Sequence, residues 1–329
     1  MPKPVVNIAA SVRQRLLDLA RKKGADFQLI LIQYAVERLL YRFSRSAYKD
    51  RFILKGAMLF SAWSEEPFRA TRDLDFLGKG DNMVSAMTKV FSEICKTAAD
   101  GDGLEFLSDK IDGEEIRDDQ EYRGVRLSFE ARLAGARIPV QVDIGFGDAV
   151  APAAEMVDYP VLLDHPAPRL LAYPRETVVA EKFQSMVDLG MANSRMKDFF
   201  DIWVLALMFE FEGKRLTQAI KATFERRRTP LPADPPLALT EEFSNDPAKR
   251  TQWNAFLRKG RFKIEEKDFG KIVFQYCVNF SCRRPRQQRK AAIFLNVGQR
   301  ADPGEEGKWK PTGSDPSIYR IWRGLQPQH

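Results

Sequence analysis

Asp73 and Asp75, separated by one leucine in "TRDLDFL", are the first residues whose types and spacing suggest chemistry. On a β-strand, positions i and i+2 project to one face. Two carboxylates side by side on a half-buried face repel each other and lose hydration. A bridging divalent cation offsets that cost, and magnesium favours one or two carboxylates together with substrate phosphates and water. A turn or a helix cap would equally account for an isolated Asp-x-Asp. A third carboxylate, Asp143, lies in the apolar run "RIPVQVDIGFGD" between Val142 and Ile144. A lone aspartate there either serves a site or pairs with a nearby arginine. Upstream, Lys55 and Gly56 end one apolar run and open another, "GAMLFSAWS". Glycine at a strand-to-helix turn lets a phosphate approach the backbone, and the helix start offers unpaired N–H groups. Each feature is weak alone. Their order is more specific: strand, glycine, helix, Asp-x-Asp strand, lone-Asp strand.

A second group lies in "SRMKDFFDIW". Read as a helix, it puts Asp198 and Asp201 on one face at i and i+3, with Arg195 one turn before Asp198. The alternative is a pair of surface ion pairs, Arg195–Asp198 and Lys197–Asp201, each worth about 0.2–0.5 kcal/mol.

These residues need elements to hold them. "SVRQRLLDLARKKG" reads as a helix capped by Ser11 and stopped at Gly24, and "DFQLILIQYAVERLLYRFSRS" as a longer one. "RFIL" and "DLDFL" read as strands, and "DNMVSAMTKVFSEICKTA" as an amphipathic helix opened by Asp81 or Asn82. "LEFL", "YRGVRLSFEARL" and "RIPVQVDIGFG" are predicted strands, the last two joined by a tight turn at Gly135. "APAAEMVDYP" and "DHPAPRLLAYP" read as Pro-rich connectors. After Pro174 three helical segments follow. Next come the breaker "TPLPADPPLA" and the helical stretches "PAKRTQWNAFLRKG" and "DFGKIVFQYCVNF".

Composition bounds the class. At 329 residues with 44% apolar content, the chain has material for two domains with real cores. No apolar run approaches a membrane span and no signal-type segment opens the chain, so a soluble cytoplasmic protein without membrane partners is expected. Three cysteines and two histidines argue against a disulfide framework and a structural zinc site. Of the net charge of +7, +6 falls between Ser281 and His329, where ten basic residues oppose four acidic ones. Such a tail attracts polyanions, or is simply a solvated end.

The ordered features resemble the nucleotidyltransferase superfamily: a glycine turn, then Asp-x-Asp, then a later strand carboxylate. Within it the chain resembles the AbiEii/AbiGii-type toxins of abortive-infection and toxin–antitoxin systems. "LKGAMLF", "TRDLDF" and "EKFQSMVDLGMANSRMKDFFDIW" carry the likeness, over about Phe52 to Phe209. The resemblance implies an α+β fold, with a nucleotidyltransferase-like mixed sheet and flanking helices followed by a mainly helical C-terminal domain. The expected boundaries are 1–48 for N-terminal helices on the core and 49–172 for the α+β domain. A helical domain over 173–283 and a basic tail over 284–329 complete the division. By the resemblance Asp73, Asp75 and Asp143 bind Mg2+ or Mn2+ and, with Asp198 and Asp201, form the catalytic set. Lys55, Gly56, Ala57, Arg72, Lys182, Arg195 and Lys197 bind the NTP co-substrate. Ala57 departs from the family pattern, which has Gly or Ser there. The implied acceptor is the tRNA 3′ end or another RNA, and the implied partner a cognate antitoxin. Rival readings are transfer to a small molecule or protein, a non-catalytic nucleotide-binding regulatory module, and a helical DNA-binding protein.

Overall fold

A computed structural model of the chain describes residues 7–64, 71–118, 122–260, 262 and 266–273. The chain divides into two compact units, Met1–Asp148 with Ala154–Tyr173, and Ala149–Ala153 with Pro174–His329.

The first unit opens with helices α1 (Ile8–Lys23) and α2 (Phe27–Arg45). Asn7, not Ser11, caps α1: its side-chain oxygen accepts from the Ala10 N–H at 3.0 Å. Asparagine caps as well as serine, and the earlier start adds residues 8–11 to the helix. Gly24 ends α1 at φ +59°, its N–H reaching back to the Ala20 and Arg21 carbonyls.

Among the described residues, eight strands form one mixed sheet. They are β1 (Phe52–Lys55), β2 (Asp73–Gly78), β3 (Glu105–Phe106), β4 (Asp112–Asp118), β5 (Tyr122–Leu133), β6 (Ala136–Phe146), β7 (Glu155–Asp158) and β8 (Arg169–Ala172). The order is β3-β5-β6-β2-β1-β8-β7, with β4 also paired to β5. The β1/β8 and β2/β6 pairs are parallel and the rest antiparallel. Ala134 and Gly135, both at positive φ, make the two-residue turn that fixes the register of β5 on β6. Three strands were not expected. β7 and β8 lie inside the two Pro-rich stretches read as connectors, and β4 is the charged segment "DGEEIRD". Strands of four residues are too short to show a period beside proline, and β4 lacks the apolar alternation of a half-buried strand.

Helices α3 (Leu59–Trp63) and α4 (Val84–Lys96) complete the unit. The α4 helix begins later than Asp81 or Asn82, because the Asp81 carboxylate accepts from the Met83 N–H at 2.9 Å and closes a turn before it. Phe43 of α2, Phe52 of β1, Phe76 of β2 and Phe91 of α4 meet at centroid distances of 5.1–6.3 Å and form the core on one sheet face. The α2 helix also buries charge. Arg42 grips Asp102, while Glu37 accepts from the Leu162 N–H at 2.6 Å beside Arg38.

The second unit is helical: α5 (Arg175–Leu189), α6 (Met196–Met208), α7 (Gly213–Arg226), α8 (Glu241–Asn245), α9 (Pro247–Gly260), and the helical residues 269–273. In its core Phe199 stacks on Phe243 and Trp253 on Phe269, and Phe199 meets Phe269 edge-on. Cys277, Cys282, His329 and the basic tail lie outside the described residues, whereas Cys95 is buried. Among the described residues, no helix is long and apolar enough to cross a membrane.

Candidate active site

Strand β1 ends at Lys55, and the chain then turns at Gly56 with φ +73° into a short 3-10 turn over Gly56–Met58. A side chain at Gly56 is excluded twice. The backbone conformation disfavours one, and a Cβ there would lie 1.9 Å from Oδ2 of Asp75. The Asp75 carboxylate therefore rests directly against the turn. Ala57 follows, buried within it.

Strand β2 alternates as its sequence predicts. Asp73 is exposed and Asp75 half-buried on one face, while Leu74 and Phe76 are buried on the other. Arg72 is exposed just before the strand. Asp75 stands opposite Lys55 on β1 and opposite Asp143 on β6. Asp143 in turn stands opposite Arg126 on β5, and Arg126 opposite Glu114 on β4. One row across the sheet thus reads Glu114, Arg126, Asp143, Asp75, Lys55. Like charges at opposite positions destabilise a sheet, so the adjacent pair Asp75–Asp143 is the unfavourable step. A cation stands on each side of it. Lys55 also reaches Asp148, Nζ to Oδ2 at 3.0 Å.

Arg126 holds Asp143 at two points, Nε to Oδ1 at 2.8 Å and Nη2 to Oδ2 at 2.7 Å. The Gln141 amide nitrogen lies 3.3 and 3.4 Å from the same two oxygens. The hydrogen bond to Asp143 raises the Arg126 pKa above its ordinary value, with the nearby charges of Glu114 and Asp73 acting the same way. Asp143 thus has the arginine partner that its sequence context left as an alternative, and it remains in register with Asp75. Among the described residues, no group of three or more His, Cys, Asp or Glu side chains is arranged to hold a metal ion. Asp73 and Asp75 do supply two hard oxygen donors on one face, the number magnesium takes when phosphates and water complete its shell.

The second unit carries its own polar cluster. Lys182 of α5 bonds Asp198 Oδ1 and lies 2.9 Å from Asp201 Oδ2, both carboxylates on α6. Their side chains are 6% and 0% exposed, so the alternative of surface ion pairs does not describe them. The i, i+3 spacing does put both on one face, which Lys182 serves. Arg195 precedes α6, its N–H donating to Asn193 Oδ1 at 2.8 Å, and Lys197 is exposed.

Sequence reasoning missed Arg126, Gln141 and Asp148. For Arg126 a signal existed. Counting back from a two-residue turn at Ala134-Gly135 pairs Leu133 with Ala136, and by the same count Arg126 with Asp143.

Comparison with known proteins gives one family match. The model of the family described as "Nucleotidyl transferase AbiEii toxin, Type IV TA system" matches residues 38–275. No curated protein matches significantly. Among solved structures, JHP933 from Helicobacter pylori is similar at 14% identity and a TM-score of 0.46, covering 76% of this chain and 92% of its own. A second H. pylori protein, provisionally described as a nucleotidyltransferase, is similar at 14% identity and a TM-score of 0.45, covering 76% and 95%.

Proposed function

Because the chain belongs to the AbiEii family of nucleotidyltransferase toxins of type IV toxin–antitoxin systems, we propose that its β1–β2 site transfers a nucleoside monophosphate from an NTP to an acceptor hydroxyl. The observation that carries this reading is the seating of Asp75 against Gly56, with Asp73 on the same face and Asp143 level with it on the next strand. A triphosphate needs close backbone approach and carboxylates nearby, and this turn offers both.

Asp73 and Asp75 would hold a divalent cation, Mg2+ or Mn2+, which when bound draws charge from the triphosphate and the departing pyrophosphate. The other roles fall to the chain itself. Lys55, Arg72 and the Gly56–Ala57 backbone bind phosphate. By the family resemblance Lys182, Arg195 and Lys197, all of the second unit, are assigned to triphosphate oxygens, where a cation counters the negative charge that develops on the leaving group. Asp198 and Asp201 orient the Lys182 ammonium. The Asp143 carboxylate accepts a hydrogen bond from the acceptor hydroxyl and aims it at the α-phosphorus. The acceptor oxygen bonds to that phosphorus, the bond to the β-phosphate bridging oxygen breaks, and pyrophosphate leaves. The hydroxyl proton passes to a carboxylate oxygen of Asp143.

We infer that the acceptor is the tRNA 3′ end or another RNA, by the family resemblance, and the strongly basic last segment favours a polyanion. A cognate antitoxin is the expected partner. Incubation with total tRNA and each α-labelled NTP in turn, with and without Mg2+, tests the reading. Cation-dependent label on RNA is the expected result. Label on protein or on small molecules would move the acceptor, and absence of NTP consumption would reduce the protein to a nucleotide-binding module.

A further inference from the structure

Nothing in the family match assigns a role to Arg126, yet it holds Asp143 at two points. It sits directly opposite Asp143 and meets both carboxylate oxygens in parallel, at 2.8 and 2.7 Å. Such two-point pairing fixes the plane of a carboxylate as well as its position, which a lysine cannot do. Gln141, two residues before Asp143 and on the same face, approaches the same oxygens from along the strand. On the far side Glu114 Oε1 stands 3.9 Å from Arg126 Nη1 and draws the guanidinium from behind. An arginine opposite an aspartate on an ordinary surface would gain little, since exposed ion pairs contribute about 0–1 kcal/mol. Here the aspartate side chain is only 18% exposed and stands opposite a second carboxylate, Asp75. Without a fixed partner Asp143 would turn away from Asp75, because like charges at opposite positions repel.

We propose that Arg126 is a positioning residue for nucleotidyl transfer: its two-point grip holds the Asp143 carboxylate in the single orientation from which it aims the acceptor hydroxyl. The inference rests on the transfer reading given above. It makes Arg126 act through Asp143 and not on the triphosphate.

Two measurements test it, one with activity and one without. In the transfer assay Arg126→Gln lowers kcat about 10- to 100-fold, the range for loss of a residue that orients a working ligand. The KM for NTP stays within about threefold, as expected when an interaction used only in the transition state is removed. Arg126→Lys, which keeps the charge but not the fork, recovers part of the loss. The double variant Arg126→Gln, Asp143→Asn is no slower than Asp143→Asn alone. A rise in KM with kcat unchanged, or losses that multiply in the double variant, would make Arg126 a phosphate-binding residue and overturn the proposal.

The second measurement needs no activity. Scalar couplings at the Asp143 Cβ protons report one side-chain rotamer in the wild-type protein and averaging in Arg126→Gln, with amide shifts elsewhere in β5 and β6 retained. A single unchanged rotamer in Arg126→Gln overturns the grip whatever the assay gives. Absence of transfer by the wild-type protein defeats the functional reading instead, and the rotamer result still decides whether Arg126 positions Asp143. Should Arg126→Gln fail to fold, Arg126→Lys carries both measurements, with intermediate effects expected.

Discussion

Among the described glycines, Gly56 leaves the least room for a side chain, because the Asp75 carboxylate lies against it. A Cβ on Gly56 would meet the Asp75 carboxylate at 1.9 Å, in a backbone conformation of φ +73°. Gly56→Ala should therefore displace the carboxylate and lower transfer by about 100-fold, the scale at which misplacement of a reacting group by about 1 Å is felt. The left-handed backbone adds a stability loss of about 1 kcal/mol, readable as a small fall in the denaturation midpoint. Activity retained in Gly56→Ala would mean that Asp75 has room the geometry denies it. Asp73, Asp75 and Gly56 were legible in the sequence because the pattern that marks them is local: a two-residue alternation and a glycine between apolar runs. Arg126 was not, because its role depends on a strand register set by the turn at Ala134 and Gly135.

At the scale of elements, two helices carry charge into apolar surroundings. The α6 helix buries Asp198 and Asp201 against Lys182 of α5. Lys182→Met leaves two carboxylates without that cation, and breaking such a buried pair typically costs about 3–5 kcal/mol. We expect a correspondingly lower denaturant midpoint for the second unit as well as abolished transfer. Abolished transfer with no change in midpoint would assign Lys182 to the substrate alone. The sequence showed that Asp198 and Asp201 share a face. It did not show that the face is buried, because burial depends on packing across helices distant in sequence. The α2 helix offers a pH test. Burial pushes the Glu37 carboxyl up from 4.5 to about 7, opposed by the Leu162 N–H and Arg38 and reinforced by Asp102. Between those two values the folded protein holds a proton that the unfolded chain has released. Stability should therefore fall as pH rises from about 4.5 to about 7 and level off beyond it. Glu37→Gln should flatten that part of the stability–pH curve; an unchanged slope would show that Glu37 does not titrate there. The short strands β7 and β8 escaped notice because four residues beside proline carry no readable period.

For the molecule as a whole, charge is unevenly spread, with ten basic against four acidic residues after Ser281. If this segment meets the RNA acceptor, removing residues 284–329 should weaken binding and flatten its salt dependence. The slope of log K against log salt changes by about 0.7 for each single-strand phosphate that the segment would otherwise neutralise. An unaltered slope would confine RNA binding to the rest of the chain. The mixed sheet and the helical second half were legible because hydrophobic period changes along the chain, whereas the row from Glu114 to Lys55 could be seen only once strand order was known. The central claim is that Asp73 and Asp75 mark a nucleotidyl-transfer site, and its most direct test is transfer of α-labelled NTP to total tRNA by the wild-type protein and by Asp75→Ala. We expect cation-dependent labelling by the wild type and none by Asp75→Ala, with the variant's circular dichroism and melting temperature close to those of the wild type. Undiminished labelling by Asp75→Ala would contradict the account.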